Sequence, residues 1–269
     1  MPLTDGMMKN YKKITEKVNE TGNTDTGEID VHDIVIRLLY DQLFDRTDDV
    51  LFLLKNGRFF SIESILRTCI EMAAYIRYIF ISNNRDVIKK RARACYYWNK
   101  VDSVNKAQEI LKTYSLPNKE AIELKLSEDL SRLPQNFSSD EEYREYHLKK
   151  LNECYSEQIS KRKRKYWFNH NGSIDNIRKL FEYVGMTDDY STFYRPFSDA
   201  THGLGSLKQI RAAKNSFGLE KTLPDETIKS LLNGYLFFIT KQIINYYNLE
   251  AETRTEFQVI KINFKKNYF

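Results

Sequence analysis

Arg195 and His202 are the two residues of this sequence best suited to cleave a phosphodiester bond without a metal ion. They are seven positions apart, about two turns of an α-helix, so both side chains would project from the same face. An arginine holds a phosphate, and a histidine moves a proton at neutral pH. Ser198 and Asp199 lie between them and could orient the pair. The spacing therefore predicts a site for RNA cleavage through attack of a 2′-hydroxyl.

A second Arg/His pair, Arg164 and His170, fits nearly the same spacing. His170 is flanked by two asparagines, which suits a polar loop that meets a phosphate or a base. Ser173 is predicted to cap the next helix, and the free N–H groups of a helix start attract anions. Spacing alone does not select between the two pairs. We favour Arg195/His202 because it lies in a predicted helical segment near the C-terminal helices.

The positive charge of the chain is concentrated in one basic run. The chain has 42 Lys and Arg against 37 Asp and Glu, and a run of five basic residues accounts for the whole surplus of +5. Together with the neighbouring Trp167 it gives the mixture of charge and rings that binds single-stranded nucleic acid. The same residues could instead form a solvated helix end with the aromatic residues in the core. We interpret the run as a surface that attracts RNA or another anion. It consists of Lys161, Arg162, Lys163, Arg164 and Lys165.

Arg67 and Glu71 are four positions apart on a predicted helix that is otherwise apolar nearly all round. This spacing places both side chains on one face, so we expect them to pair where water is scarce. They could be a structural ion pair that joins two helices, or they could support a site from behind.

The composition and the periodicity predict an all-α protein. Only 10 Gly and 5 Pro occur in 269 residues, too few for many short strands and turns. Apolar residues instead recur at three- and four-residue steps. We predict a flexible segment at 1–29, a single helical-bundle domain of about seven to nine helices at 30–250, and a C-terminal tail at 251–269. Within the tail, residues 259–264 could form a lone strand or a frayed helix.

The Arg195/His202 pair resembles the Arg-x(4–6)-His motif of the HEPN ribonucleases, which are all-helical dimeric enzymes of toxins, CRISPR nucleases and abortive-infection systems. The resemblance implies that Arg195 stabilises the pentavalent phosphate and that His202 acts as general acid and base. It also implies that two copies of the motif face each other across a homodimer.

A broader set of residues resembles an uncharacterised bacterial family of all-helical proteins, over about residues 30 to 250. The matching features are Arg67-x3-Glu71, Trp167 with Gly172-Ser173, and a segment from Tyr190-x3-Tyr194 to Ser198-x3-His202-Gly203. The family has no established activity, so this resemblance supports the position of the site and not a reaction.

Two functions from different classes remain open at this point. The leading hypothesis is a metal-independent HEPN-like RNA endonuclease that acts as a toxin or anti-phage effector, needs no cofactor and is cytoplasmic. The alternative is a non-enzymatic sensor module that binds a nucleotide, a nucleic acid or a protein such as a neighbouring regulator or a phage protein. A metal hydrolase is a weaker third hypothesis, because no HExxH or comparable ligand spacing occurs. No stretch is apolar for long enough to predict a membrane span.

Overall fold

The computed structural model describes residues 2–21, 30–59, 61–112, 120, 137–155, 166–169, 172–201, 210–213, 216–219 and 223–265. These residues form a helical protein, as the sequence predicts, with seven helices of 12 or more residues, three short helices, one π-helix and one small hairpin. In chain order the elements are α1 Asp5–Glu20, α2 Val31–Lys55, α3 Ile62–Phe80, α4 Arg85–Leu111, α5 Asp140–Cys154, α6 Ile177–Tyr183, α7 Thr187–Asp189, a π-helix Tyr190–Tyr194, α8 Arg195–Thr201, β1 Ile210–Ala213, β2 Ser216–Leu219, α9 Asp225–Tyr247 and α10 Arg254–Lys265.

Local signals in the sequence explain where the helices begin and end. Asp30 caps α2 by accepting a hydrogen bond from the His32 N–H group, and the helix ends before Gly57, which has a φ of 66°. The sequence Ser139-Asp-Glu-Glu142 has the pattern of a capping box and opens α5: the Ser139 hydroxyl accepts a hydrogen bond from the Glu142 N–H group at 3.2 Å. Gly185, with a φ of 69°, follows the end of α6.

The chain divides into two compact units, residues 1–81 with 178–269 and residues 82–177, which the sequence analysis did not separate. In the first unit, α3 is buried nearly all round, because apolar residues occupy most of its faces, and α9 is buried except for one face that carries Phe238 and Lys241. Two buried tyrosines connect α1 and α2 to α9 by hydrogen bonds. The Tyr11 hydroxyl of α1 donates to Asn233 at 3.1 Å, and the Tyr40 hydroxyl of α2 is 2.8 Å from that of Thr240.

The N-terminal segment is not a flexible tail over residues 5–20, which corrects the prediction for 1–29. Thr4 caps α1, and the apolar side chains of this helix are buried in the first unit. A narrow apolar stripe on a polar helix is enough to dock it, because only one face has to leave water. The completely or almost completely buried residues of this stripe are Met7, Tyr11, Ile14 and Val18.

The C-terminal residues also differ from the prediction. Helix α10 covers residues 254–265, so the predicted tail at 251–269 is wrong over that range, and 259–264 is helical. The ring of Phe264 stacks on that of Phe237 in α9, with centroids 4.0 Å apart. Ile260 of α10 is fully buried, and α10 packs on α1.

One short pair of antiparallel strands departs from the predicted all-α domain at 30–250. Strands β1 and β2 pair with Ile210 opposite Leu219 and Ala213 opposite Ser216.

The second unit, residues 82–177, is built on the packing of α4 against α5. Ala94 of α4 contacts Leu151 and Cys154 of α5 in a small apolar core. Trp167 and Phe168 are buried, with 4% and 1% of their surfaces exposed. No helix in the parts of the chain that the structure describes is long and apolar enough to cross a membrane.

Candidate active site

Tyr194 connects the two residues that the sequence singled out on α3. Nη2 of Arg67 donates a hydrogen bond to the Tyr194 hydroxyl at 3.2 Å, and this hydroxyl donates to Oε2 of Glu71 at 3.1 Å. The direct ion pair between Nη2 of Arg67 and Oε2 of Glu71 is longer, at 3.8 Å. The structure therefore brings Arg67 and Glu71 together with Tyr194 of the segment 190–203, and the tyrosine hydroxyl lies between the two charges.

A fourth side chain, Tyr75, completes this network and was missed by the sequence analysis. Its hydroxyl donates to Oε1 of Glu71 at 2.5 Å, so Glu71 accepts one tyrosine hydroxyl on each oxygen. The sequence does contain a signal for Tyr75, because Arg67, Glu71 and Tyr75 follow one another at four-residue steps on one face of α3. The Arg67 guanidinium also lies over the ring of Tyr194, 5.2 Å from its centroid.

The network lies at the edge of the first unit, which corrects the expectation that the pair is shielded from water. The side chains of Arg67 and Glu71 are 32% and 25% exposed. Burial raises the pKa of Tyr194, and the Glu71 carboxylate raises it further. Burial lowers the pKa of Arg67, but its contacts with Tyr194 and Glu71 outweigh this, so the net pKa is raised. At neutral pH the arginine is charged and the tyrosine keeps its proton for Glu71.

The π-helix Tyr190–Tyr194 leads directly into α8, which begins at Arg195. The Arg195 N–H group donates to the carbonyl of Tyr190, five residues earlier, and such wide turns are common at functional sites. Arg195 is exposed, while Phe197 on the other side of α8 is 2% exposed. The π-helix therefore places Tyr194 on α3 and leaves the next side chain in water.

Of the other predicted catalytic residues, the structure describes the side chain of Ser198 only. Ser198 is half-buried on α8, within 60° of Arg195 around the helix axis by its spacing. Asp199 lies in α8, but its side chain is outside the described residues, and so is all of His202. Arg195 and Ser198 therefore lie in the same short helix, about one turn apart, and the position of His202 relative to them stays a prediction.

A second polar contact, which the sequence analysis also missed, lies at the other end of this segment. The Tyr235 hydroxyl of α9 donates to Oδ1 of Asp189 at 2.7 Å. Burial raises the pKa of Tyr235, and Asp189 raises it further. No spacing pattern could reveal the pair, because 46 residues separate its members. It fixes the start of the π-helix to α9, as Arg67 and Glu71 fix its end to α3.

The second predicted Arg/His site finds less support. Residues 161–165, with Arg164, and His170 are outside the described residues. Trp167 is buried, so its ring cannot stack on a base, and this part of the prediction is wrong. Ser173 is exposed, but the next helix begins only at Ile177, so Ser173 does not cap it. Oδ1 of the buried Asn169 instead accepts a hydrogen bond from the Ile174 N–H group at 3.0 Å.

Among the described side chains, no group of three or more His, Cys, Asp and Glu residues has an arrangement that could hold a metal ion. The visible part of the site therefore consists of one exposed arginine, Arg195, beside a hydrogen-bonded Arg67–Tyr194–Glu71 network. Such an arrangement can bind a phosphate.

Replacing Tyr194 by phenylalanine is expected to lower the free energy of unfolding by about 1–2 kcal/mol. The variant loses the hydroxyl that joins Arg67 to Glu71, and water compensates in part because both charges are partly exposed. Urea unfolding at pH 7 measures the change. Tyr190→Phe is the matched control, because Tyr190 stacks on Tyr194 but its hydroxyl takes part in no hydrogen bond within the described structure. Equal losses for the two variants would contradict a stabilising role of the Tyr194 hydroxyl.

Comparison with known proteins places the site within a family. The model of a family of unknown function, DUF5677, matches residues 33–217, which include Arg67, Glu71, Trp167, Tyr194 and His202. No curated protein and no solved structure matches the chain. The match confirms the resemblance to an all-helical family without an established activity, and it covers more than half of the chain. The chain belongs to DUF5677, a family of unknown function.

Proposed function

We propose that this protein is a metal-independent RNA endonuclease of the HEPN type, active as a homodimer. The observation that carries the proposal is the position of Arg195. Its side chain is exposed, and the preceding residue, Tyr194, is fixed by hydrogen bonds to Arg67 and Glu71. These hydrogen bonds fix the backbone from which Arg195 projects, and a guanidinium at such a point of the surface is suited to stabilise a phosphate as charge develops on it.

The proposed reaction is a transesterification within the RNA chain. His202 removes the proton of a 2′-hydroxyl, and the 2′-oxygen attacks the adjacent phosphorus. The bond from phosphorus to the 5′-oxygen breaks, and this oxygen takes up a proton from a protonated histidine or from water. Arg195 stabilises the pentavalent phosphate, while Ser198 and Asp199 orient the pair. The products are a 2′,3′-cyclic phosphate and a 5′-hydroxyl end.

The biological role in this proposal is that of a toxin or anti-phage effector. Its support is the resemblance of the Arg195/His202 spacing to the HEPN motif, which occurs in such systems. Expression in a bacterial host should then arrest growth for the wild type and not for His202→Ala.

Incubation of the purified protein with total tRNA and mRNA in EDTA tests the activity. We expect cleavage products with 2′,3′-cyclic phosphate ends from the wild type and none from His202→Ala. His170→Ala is the matched control, because it removes the histidine of the competing pair and should leave cleavage unchanged.

Several outcomes would overturn the proposal: no cleavage of any RNA, equal cleavage by His202→Ala, or a protein that is strictly monomeric in solution. RNA that raises the melting temperature of the wild type but not of Arg195→Ala, without turnover, would favour the alternative of a binding module.

A further inference from the structure

The surplus of positive charge lies entirely in one of the two compact units. Residues 82–177 contain 19 Lys and Arg against 14 Asp and Glu, whereas the rest of the chain has 23 of each. The basic run at 161–165 is one part of this charge. Another part is on α4, where five basic residues precede a run of three aromatic residues. These are Arg85, Lys89, Lys90, Arg91 and Arg93, followed by Tyr96, Tyr97 and Trp98.

Four of the side chains on α4 form a stripe along one face of the helix. Lys90, Arg93, Tyr97 and Lys100 follow each other at steps of three and four residues, which keeps them within about 80° around the helix axis. Lys90 is exposed, and the other three are partly exposed. The stripe is about 15 Å long, from the helical rise of 1.5 Å per residue. We call these four residues the α4 stripe.

Helix α5 adds a further cation beside the α4 stripe. Burial raises the pKa of the Cys154 thiol to about 11, and Arg93, Lys90 and Lys150 act in the opposite direction, so all three cations are close to this thiol. Arg93 and Lys150 also lie close to Tyr97. The Glu153 carboxylate is close to this thiol as well, raises its pKa, and pairs with Lys150 at 3.1 Å. The α4 stripe is therefore electropositive around an aromatic ring.

The rings beside the α4 stripe are held by a buried aromatic cluster. Tyr96 and Tyr97 lie 6.1 and 5.8 Å from the ring of His147, which is 6% exposed and also contacts Tyr143 and Tyr146. Burial and the charge of Lys100 lower the pKa of His147 to about 4, so this imidazole is neutral at pH 7. The Lys100 ammonium lies 5.2 Å from the centroid of Tyr96. Tyr96 and Tyr97 are thus packed on this cluster, with cations beside both rings.

We propose that the α4 stripe, together with Lys150, binds single-stranded nucleic acid. The cations contact backbone phosphates, and the exposed part of Tyr97 stacks on a base, a combination that recognises single strands without reading their sequence. A duplex does not fit, because its bases are not free to stack on a side chain. This inference goes beyond the proposed nuclease activity and does not depend on it.

Fluorescence anisotropy with a labelled 2′-O-methyl oligouridine tests the inference, because this RNA lacks the 2′-hydroxyl nucleophile and cannot be cleaved by the proposed mechanism. Binding should weaken with salt. Each lost phosphate contact should reduce the slope of log K against log salt by about 0.7. For the double variant Lys90→Ala/Arg93→Ala, the magnitude of this slope should therefore be smaller by about 1.4. The control Arg178→Ala/Lys241→Ala removes the same charge from exposed positions in the first unit. It should change neither the affinity nor the salt slope.

Two further variants separate stacking from charge and guard against misfolding. Tyr97→Leu should bind about tenfold more weakly with an unchanged salt slope, because it loses only stacking. Lys90→Glu changes an exposed side chain, so its fold is expected to be intact, and it should weaken binding at least as much as Lys90→Ala. The inference is wrong if the wild type binds no oligomer at low salt, if it binds only duplexes, or if Lys90→Glu and Lys90→Ala/Arg93→Ala bind as tightly as the control.

Discussion

Replacing Arg195 by alanine is expected to lower kcat for RNA cleavage about 100- to 1,000-fold, the usual effect of removing one preorganised donor that stabilises developing charge. The guanidinium is exposed at the first position of α8, where no described side chain is seen to neutralise it. Its contribution grows as charge develops on the phosphate, so the loss should fall mainly on kcat and less on KM. Single-turnover cleavage of a short RNA at saturating enzyme measures this.

Two variants serve as references for Arg195→Ala. Arg195→Lys keeps the charge but loses the planar pair of donors, so it should recover only part of the rate. Arg178→Ala removes an exposed arginine that pairs with Glu182 on α6, and it should cleave like the wild type. If Arg195→Ala instead raised KM with an unchanged kcat, Arg195 would bind RNA without taking part in the chemical step.

The positions of Arg67, Glu71 and Tyr194 show what spacing can predict about this site. A four-residue step predicts a shared helix face, and the structure confirms the contact between Arg67 and Glu71. Spacing could not show that the Tyr194 hydroxyl lies between the two charges, because this depends on the packing of a segment more than a hundred residues away. The π-helix that aims Tyr194 at α3 has no recognisable sequence signal.

Trp167 shows why composition alone misleads. An aromatic residue beside a basic run has the same sequence whether its ring faces a ligand or the core, and here it faces the core. The α4 stripe is better defined than the basic run, because helical spacing determines which of its side chains share a face. Lys90, Arg93 and Tyr97 are recognisable as one surface only once the limits of α4 and its packing on α5 are known.

The prediction of a flexible segment at 1–29, which includes helix α1, rests on the many Thr, Asn, Asp, Gly and Lys residues of this stretch. Its apolar positions nevertheless recur at helical spacing: Tyr11, Ile14 and Val18 lie three and four residues apart and are fully buried. The mean composition of a mostly polar helix hides such a stripe, because burial of a single narrow face is enough to dock a helix on an existing core. The N-terminal helix is thus part of the first unit, although it precedes the residues that match the family.

The docking of α1 predicts a large loss of stability for Ile14→Ala, about 2–5 kcal/mol. Ile14 is fully buried, so the variant loses apolar contact and leaves a cavity that its neighbours fill only in part. Urea unfolding should show a lower midpoint. Lys13→Ala, at the adjacent exposed position, is the control and should stay within about 0.5 kcal/mol of the wild type. If the two variants unfolded alike, α1 would not be docked, and the Tyr11–Asn233 hydrogen bond that ties it to α9 would not contribute to stability.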